Sequence, residues 1–126
     1  MPAPIPTRIK LHKASRTLEL GYADGRSYQL PAEYLRVLSP SAEVRGHGRP
    51  VLQTGKINVA LVGVEPAGRY ALKLVFDDGH DSGLYSWDYL YRLATEQAQR
   101  WQAYLDELHQ TGASRDPDVS AIRFIP

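Results

Sequence analysis

Hydrophobic and polar residues alternate along the first thirty positions, which is the pattern of half-buried β-strands. In the first run, one side carries Ile5, Thr7, Ile9 and Leu11, and the other side carries Arg8, Lys10 and His12. The same period returns at 18–22 and, after an Asp-Gly turn, at 28–30. The pattern predicts three antiparallel strands at the start of the chain.

A second group of strands is predicted between residues 57 and 85. Residues 57–64 are rich in β-branched side chains, 66–69 form a turn, and apolar positions alternate from Tyr70 to Phe76. An acidic turn at 77–81 then leads to one more short strand at 83–85. We expect the two groups to form one antiparallel β-sheet of five to six strands.

Two helices are predicted, one short and one long. Pro31 suits the first turn of a short helix, and apolar residues follow it. Ser86 and Gly112 are good end residues for a long helix. Its apolar stripe is formed by Trp87, Leu90, Ala94, Ala98, Trp101, Leu105 and Leu108. The sequence therefore predicts an α+β fold, with the short helix and the long C-terminal helix packed on one face of the sheet.

The expected domain spans residues 1–112, and residues 113–126 are expected to form a flexible C-terminal tail. Glycines and a proline at 46–50 begin a linker that reaches to about residue 56. A chain of 126 residues hides about two-thirds of its surface on folding. One hydrophobic core is therefore expected to hold the domain together without disulfides.

Composition and charge exclude several classes of protein. The chain has 15 Lys and Arg against 14 Asp and Glu, and this net charge of +1 argues against a nucleic-acid partner. The absence of cysteine excludes disulfides, thiolate metal sites and cysteine nucleophiles. No apolar stretch approaches the ~20 residues that cross a bilayer, and no secretory signal is visible. We therefore expect a cytoplasmic protein with no membrane partner.

Few residues show the spacing that catalysis or metal binding requires. No Gly-x-Ser-x-Gly elbow and no phosphate-binding loop is present, and the serines fit helix caps instead. No two of the four histidines stand at positions i and i+4. Asp77, Asp78, His80 and Asp81 form the densest ionisable cluster, which fits either a divalent cation site or a polar hairpin turn.

Three segments, taken in order, resemble one known domain family. Residues 30–36 read Leu-Pro-Ala-Glu-Tyr-Leu-Arg, and residues 39–44 read Ser-Pro-Ser-Ala-Glu-Val. Residues 76–87 contain Asp-Gly-His followed by Gly-Leu-Tyr-Ser-Trp. Together the segments resemble the gamma-butyrobetaine hydroxylase-like N-terminal domain, from about residue 5 to about residue 108.

In eukaryotic carnitine-synthesis hydroxylases, this domain precedes an iron(II) and 2-oxoglutarate dioxygenase domain and binds zinc through three cysteines and one histidine. The resemblance places Ser39, Ser41 and Val44 at the cysteine positions and His80 at the histidine position. Serine and valine do not replace thiolates around zinc, so the resemblance implies a metal-free domain. The His-x-Asp motif of the dioxygenase is absent, so we expect no enzymatic activity.

The first functional hypothesis is a stand-alone bacterial module, of unknown function, that binds a protein partner or a small metabolite. The resemblance implies that its binding surface lies where the family's zinc joins two segments. The surface would comprise Asp78, His80, Tyr85, Trp87, Ser39, Ser41 and His47. The alternative role for His80 is structural, through hydrogen bonds to the 39–47 backbone.

The second hypothesis is an accessory protein of iron-sulfur cluster assembly. It follows because the domain also resembles a C-terminal appendage of some P-loop iron-sulfur carrier proteins. In this case the chain would bind iron through nitrogen and oxygen ligands, namely His80, Asp78, Asp81 and His47.

Overall fold

The computed structural model describes residues 3–41 and 51–118, so that Val44 and His47 lie outside the described residues. Six strands and three helices lie within the two described ranges. The strands are β1 (Arg8–His12), β2 (Thr17–Gly21), β3 (Ser27–Pro31), β4 (Leu61–Ala67), β5 (Ala71–Phe76) and β6 (Leu84–Ser86). The helices are α1 (Ala32–Val37), α2 (Trp87–Thr95) and α3 (Gln97–Thr111).

The first three strands form one antiparallel sheet in the order β1, β2, β3. Its inner face carries Leu18, Leu20 and Leu30, which are fully buried. On its outer face, Glu19 forms an ion pair with Arg8 and a hydrogen bond with His12. The alternation of apolar and polar positions therefore predicts the three strands correctly, although Ile5 and Ile9, on the side expected to be buried, are exposed.

The last three strands form a second antiparallel sheet in the order β4, β5, β6. The α+β class is confirmed, but the expectation of one sheet of five to six strands is wrong. Alternation shows which face of a strand is buried and does not show which strand it pairs with. Helix α1 and the segment up to residue 60 separate β3 from β4 along the chain, and β4 pairs with β5 rather than with β3.

Both predicted ends of the long helical region are confirmed. The Ser86 Oγ accepts a hydrogen bond from the Tyr89 N–H, which caps the start of α2. Gly112 ends α3 with φ +71°, the left-handed conformation that glycine favours. Within the two described ranges, no helix has both the length and the apolar character needed to span a bilayer.

The predicted single helix is divided into α2 and α3 at Glu96, whose φ and ψ are −110° and 20°. The Tyr34 hydroxyl donates a hydrogen bond of 2.7 Å to the Leu93 carbonyl, the group that would accept from the Gln97 N–H in a continuous helix. Ala98, predicted to belong to the apolar stripe, is exposed just after the break. The break follows from a tertiary contact that helical spacing does not reveal.

Two clusters of buried apolar side chains hold these elements together. The main cluster draws on both sheets, α1 and α2, and its fully buried members include Leu18, Leu20, Leu30, Leu35, Leu74, Tyr85, Leu90 and Leu93. The smaller cluster consists of Val37, Tyr104 and Leu108, and it joins the end of α1 to α3. All six residues of α1 are buried, so this short helix lies at the centre of the fold.

Residues 113–118, the first part of the predicted tail, form hydrogen bonds with two other segments. The N–H groups of Gly55 and Ile57 donate to the carbonyls of Ser114 and Arg115. The Arg115 guanidinium donates two hydrogen bonds, of 2.7 and 2.8 Å, to the carboxylate of Glu33 in α1. We call residues 113–118 the C-terminal strap.

Candidate functional site

Ser39, Ser41 and His80 are in contact, although 41 and 39 positions separate the two serines from the histidine. The Ser39 Oγ lies 2.9 Å from His80 Nε2, and the Ser41 Oγ lies 3.3 Å from the same nitrogen. Ser39 is 0% exposed and His80 is 5% exposed. The structure therefore brings together three of the four positions to which the resemblance assigns the zinc ligands of the family.

The segment after α1 positions the two serines. The Ser39 N–H donates a hydrogen bond of 3.3 Å to the Arg36 carbonyl. The Ser41 N–H donates a bond of the same length to the Ser39 Oγ, so the serine side chain stabilises a local turn. This turn brings both hydroxyls to the same imidazole nitrogen.

The turn between β5 and β6 positions the histidine. The Phe76 N–H donates a hydrogen bond of 3.0 Å to the His80 carbonyl, and the His80 N–H donates one of 3.1 Å to the Asp78 Oδ1. Gly79 lies between them with φ +90°, a conformation that glycine adopts without strain. The Asp-Gly-His motif is therefore a tight turn that directs the imidazole toward the serines.

Gly83 packs directly against Ser39. A Cβ atom added at Gly83 would lie 2.5 Å from the Ser39 Oγ and 3.1 Å from a ring carbon of Tyr85. Both distances are shorter than the ~3.5 Å at which non-bonded carbon atoms attract one another. The close approach explains why glycine stands at this point of the Gly-Leu-Tyr-Ser-Trp segment.

Asp78 binds two cationic side chains beside the same turn. Its Oδ2 accepts a hydrogen bond of 2.9 Å from Arg36 Nε and one of 2.7 Å from Lys56 Nζ. Burial alone would raise the pKa of Asp78, but the hydrogen bonds from Lys56, the His80 N–H and Arg36 lower this pKa to about 2. The ionised carboxylate therefore joins α1 and the linker to the β5–β6 turn.

Two tyrosines bind the C-terminal part of α1 from the side of β6 and α2. The Tyr85 hydroxyl donates to the Leu35 carbonyl, and the Tyr89 hydroxyl donates to the Leu38 carbonyl, each at 2.5 Å. Tyr85 is fully buried, and this burial raises the pKa of its hydroxyl. Both bonds satisfy carbonyl groups at a helix end, where the helix itself offers no partner.

We call six of these residues the polar cluster: Arg36, Ser39, Ser41, Asp78, His80 and Tyr85. The cluster does not fit the zinc ion of the family, because two hydroxyls stand where thiolates are required. Asp78 is engaged by two cations, and no group of three His, Cys, Asp or Glu side chains in residues 3–41 and 51–118 is arranged to hold a metal ion. The cluster joins α1, the linker and the β5–β6 turn through hydrogen bonds and ion pairs.

The structure does not place every predicted binding residue at the polar cluster. Trp87 lies at the opposite end of β5, where its Nε1–H donates a hydrogen bond of 2.7 Å to the Arg69 carbonyl. The six residues of β5 span about 17 Å, which separates Trp87 from the His80 turn. Asp81 is exposed beside His80, and His47 lies outside the described residues. Of the residues that do meet, Ser39, Ser41, His80 and Tyr85 are buried, whereas the sequence interpretation placed them on a surface.

Arg36 and Lys56 were not among the residues that the sequence singled out. Arg36 is buried in a helix whose six residues are all buried, a degree of burial that apolar spacing does not indicate. Lys56 lies in the linker 22 positions before Asp78, and no spacing rule connects the two. The one available signal was the rule that a buried charge needs a partner, which applies only once the burial is known.

A cavity of about 280 Å³ lies beside the polar cluster, with Ser39 in its lining. It is bounded by the end of α1, residues 51–53 and α3, and we call it the α1–α3 cavity. Its apolar lining comprises Val37, Leu38, Val51, Leu52, Ala103 and Tyr104. Arg100 and Glu107 add one positive and one negative charge, about 10 Å apart along the helix axis.

Comparison with known proteins gives the same family as the three segments. The family model described as gamma-butyrobetaine hydroxylase-like, N-terminal, matches residues 9–91. One NMR solution structure is 65% identical and covers 99% of this chain and 100% of its own, with a TM-score of 0.85. A second NMR solution structure is 50% identical and covers 98% of this chain and 95% of its own, with a TM-score of 0.79.

A crystal structure of a protein of unknown function from Acidithiobacillus ferrooxidans ATCC 23270, assigned to the DUF971 family, is 40% identical. It covers 71% of this chain and 91% of its own, with a TM-score of 0.61. No curated protein matches the chain. Because the family model matches more than half of the sequence, the chain belongs to the gamma-butyrobetaine hydroxylase-like N-terminal domain family.

Proposed function

We propose that the protein is a non-catalytic accessory module that binds a protein partner or a small metabolite. The observation that carries this proposal is the burial of the Ser39–His80 pair, because a serine and a histidine at 2.9 Å would otherwise suggest a nucleophile and its base. With exposed fractions of 0% and 5%, both side chains are withdrawn from bulk solvent. The pair supports a structural role, and we place binding in the cavity beside it.

The α1–α3 cavity is the binding site that we propose. It borders the polar cluster at Ser39, and its size is close to the lower end of the range of about 300–1,000 Å³ for ligand pockets. Its lining is mainly apolar, and Arg100 and Glu107 supply charges that would orient a bound molecule. The polar cluster therefore supports the wall of the cavity and is not itself the contact surface.

A pair of tryptophan substitutions on α3 tests this proposal. Ala103→Trp fills the cavity, whereas Gln99→Trp places the same side chain at an exposed position that lines neither this cavity nor the polar cluster. We expect small-molecule hits from a thermal-shift screen, and proteins captured from the native cell, to be lost with Ala103→Trp and kept with Gln99→Trp. Interactions that survive equally in both folded variants would place the binding site elsewhere.

The alternative of an iron-binding accessory protein has no contact in its favour among the described residues. Two of its four proposed ligands already have partners. His80 is in contact with Ser39, and Asp78 binds Arg36 and Lys56. Titration with iron(II), followed through the His80 imidazole signals by NMR, separates the two functions. A shift that is complete at one equivalent of iron would support the alternative, and unchanged signals would reject it. The cytoplasmic location expected from the sequence stays a prediction.

A further inference from the structure

A second, larger groove lies next to the C-terminal strap. Its volume is about 550 Å³, within the range of sites for small molecules. It is lined by Pro31, Glu33, Tyr34, Gln97, Ala98, Trp101 and Arg115. None of these residues lines the α1–α3 cavity, so the groove is a separate site, and we call it the Trp101 groove.

Arg115 is fixed in position at one side of this groove. Its Nε and Nη2 atoms donate to the two carboxylate oxygens of Glu33, and its guanidinium lies 5.1 Å from the centre of the Trp101 ring. A guanidinium has five N–H donors, so this fork uses two of them. The Arg115 side chain is 36% exposed, whereas that of Glu33 is only 8% exposed. The cation of this pair therefore faces the solvent side, and its carboxylate lies beneath.

The remainder of the groove offers an apolar wall. Trp101 packs edge-on against Tyr34, with ring centres 6.2 Å apart, and Pro31 extends this surface. Tyr34 is itself buried, with its hydroxyl bound to the Leu93 carbonyl, so Trp101 and Pro31 supply the accessible apolar surface. Gln97 adds one polar side chain at the start of α3. The groove thus combines an apolar surface with one partly exposed guanidinium that Glu33 holds from beneath.

We propose that the Trp101 groove binds a small monocarboxylate with an apolar body, whose carboxylate meets Arg115 and whose body covers Trp101. Arginine suits this task because the three N–H groups that Glu33 does not use can still donate to the carboxylate of a ligand. Glu33 supports the site by holding the guanidinium in place before the ligand arrives, which reduces the entropy lost on binding.

Titration of the full chain with 4-phenylbutyrate, followed by nitrogen-15 NMR, tests the proposal. The two tryptophans give an internal comparison, because only Trp101 lines the groove. Trp87, at the start of α2, donates its indole N–H to the Arg69 carbonyl. We expect the Trp101 indole signal to shift and saturate while the Trp87 signal stays in place. The neutral amide of the same acid should bind at least about tenfold more weakly, because it offers Arg115 no charge.

Two variants make the result specific to the groove. Ala98→Trp is expected to fill it and abolish binding, and Gln99→Trp, on the exposed side of the same helix, is expected to leave binding unchanged. Ala103→Trp, which fills the α1–α3 cavity, should also leave binding unchanged, so this test is independent of the proposed function.

Several outcomes would overturn the proposal. The first is the absence of any Trp101 shift at about 10 mM acid, because any binding would then be weaker than millimolar. The others are equal affinity for acid and amide, and full binding by Ala98→Trp. A shift caused by a peptide with a free C-terminal carboxylate, but not by the small acid, would assign the groove to a protein partner instead.

Discussion

The Ser39 hydroxyl and the His80 imidazole meet at 2.9 Å and join the end of α1 to the β5–β6 turn. The resemblance implies that, in members of the family that bind zinc, the metal ion makes this connection. Here two hydroxyls reach the imidazole directly, and the Asp78 carboxylate binds Arg36 and Lys56 beside it. A hydrogen-bonded cluster therefore connects the same two segments of chain.

The close approach of Gly83 to Ser39 predicts the effect of one added methyl group. Gly83→Ala would place a Cβ 2.5 Å from the Ser39 Oγ, so we expect a loss of about 1–3 kcal/mol in the free energy of unfolding. Gly63→Ala is the matched control, because the nearest atom to its added Cβ lies at an ordinary 3.7 Å. Urea denaturation of both variants provides the measurement. Equal midpoints for the two would contradict the packing described here.

The lowered pKa of Asp78 predicts how the stability of the protein depends on pH. Its pKa of about 2 in the folded protein lies below the ordinary value of 3.8, so ionised Asp78 stabilises the fold above about pH 4. This contribution is lost as the pH falls toward 2. Asp78→Asn should therefore lower stability at pH 7 and flatten the decline between pH 4 and pH 2.

The neutral amide would also leave the Arg36 guanidinium, whose side chain is 9% exposed, without its anionic partner. We expect a total loss of about 2–4 kcal/mol at pH 7, measured by urea denaturation across the pH range. Asp81→Asn, at an exposed position one residue after His80, should change stability by less than about 0.5 kcal/mol. The same pH profile for wild type and Asp78→Asn would refute the assigned role of Asp78.

The contacts of Ser39 and Ser41 with His80, together with the position that the resemblance gives to Val44, predict that a zinc site can be introduced. The variant Ser39→Cys/Ser41→Cys/Val44→Cys supplies three thiols to add to His80, and we expect it to bind one zinc or cobalt ion tightly. Wild-type protein purified without a histidine tag serves as the control and should contain no stoichiometric metal. Cobalt-thiolate absorption and elemental analysis provide the measurement. A chelator-resistant ion in the wild type, or no metal in the triple variant, would contradict the alignment of these positions.

The Arg115–Glu33 pair predicts that the strap contributes to stability. Arg115→Ala would leave the Glu33 carboxylate, which is 8% exposed, without its guanidinium, and we expect a loss of about 2–3 kcal/mol. Arg92→Ala removes the partner of Asp88 in an exposed i, i+4 pair and should cost less than about 0.5 kcal/mol. Thermal and urea denaturation of the two variants test the difference. If both cost the same, residues 113–118 do not contribute as described.

Much of the fold could be predicted because it depends on local patterns. Alternation located most of the strands, and Ser86 and Gly112 marked the outer ends of the helical region. The strand expected at 57–64 instead begins at Leu61 and continues to Ala67, into the expected turn. The division into two sheets and the break at Glu96 depend on contacts between distant segments, such as the bond from Tyr34 to Leu93. Neither hydrophobic period nor helix capping carries information about such contacts.

The site was predicted in part for a related reason. The resemblance brought Ser39, Ser41 and His80 together, and the structure confirms that they are neighbours. It did not show that they are buried, because burial depends on how α1 and β6 pack over them. Trp87 is close to His80 in sequence but lies beyond the far end of β5, since β6 reverses the direction of the chain.

The break at Glu96 divides the helical region between the two apolar clusters. Helix α2 packs on the main core, while α3 supplies Tyr104 and Leu108 to the smaller cluster and reaches the main core through Trp101. Segments with few buried apolar contacts open at lower free energy than the rest of a fold, so we expect α3 to open locally while both sheets stay folded. Amide protons of α3 would then exchange with solvent faster than those of β2. The α1–α3 cavity and the Trp101 groove would open and close with that local unfolding.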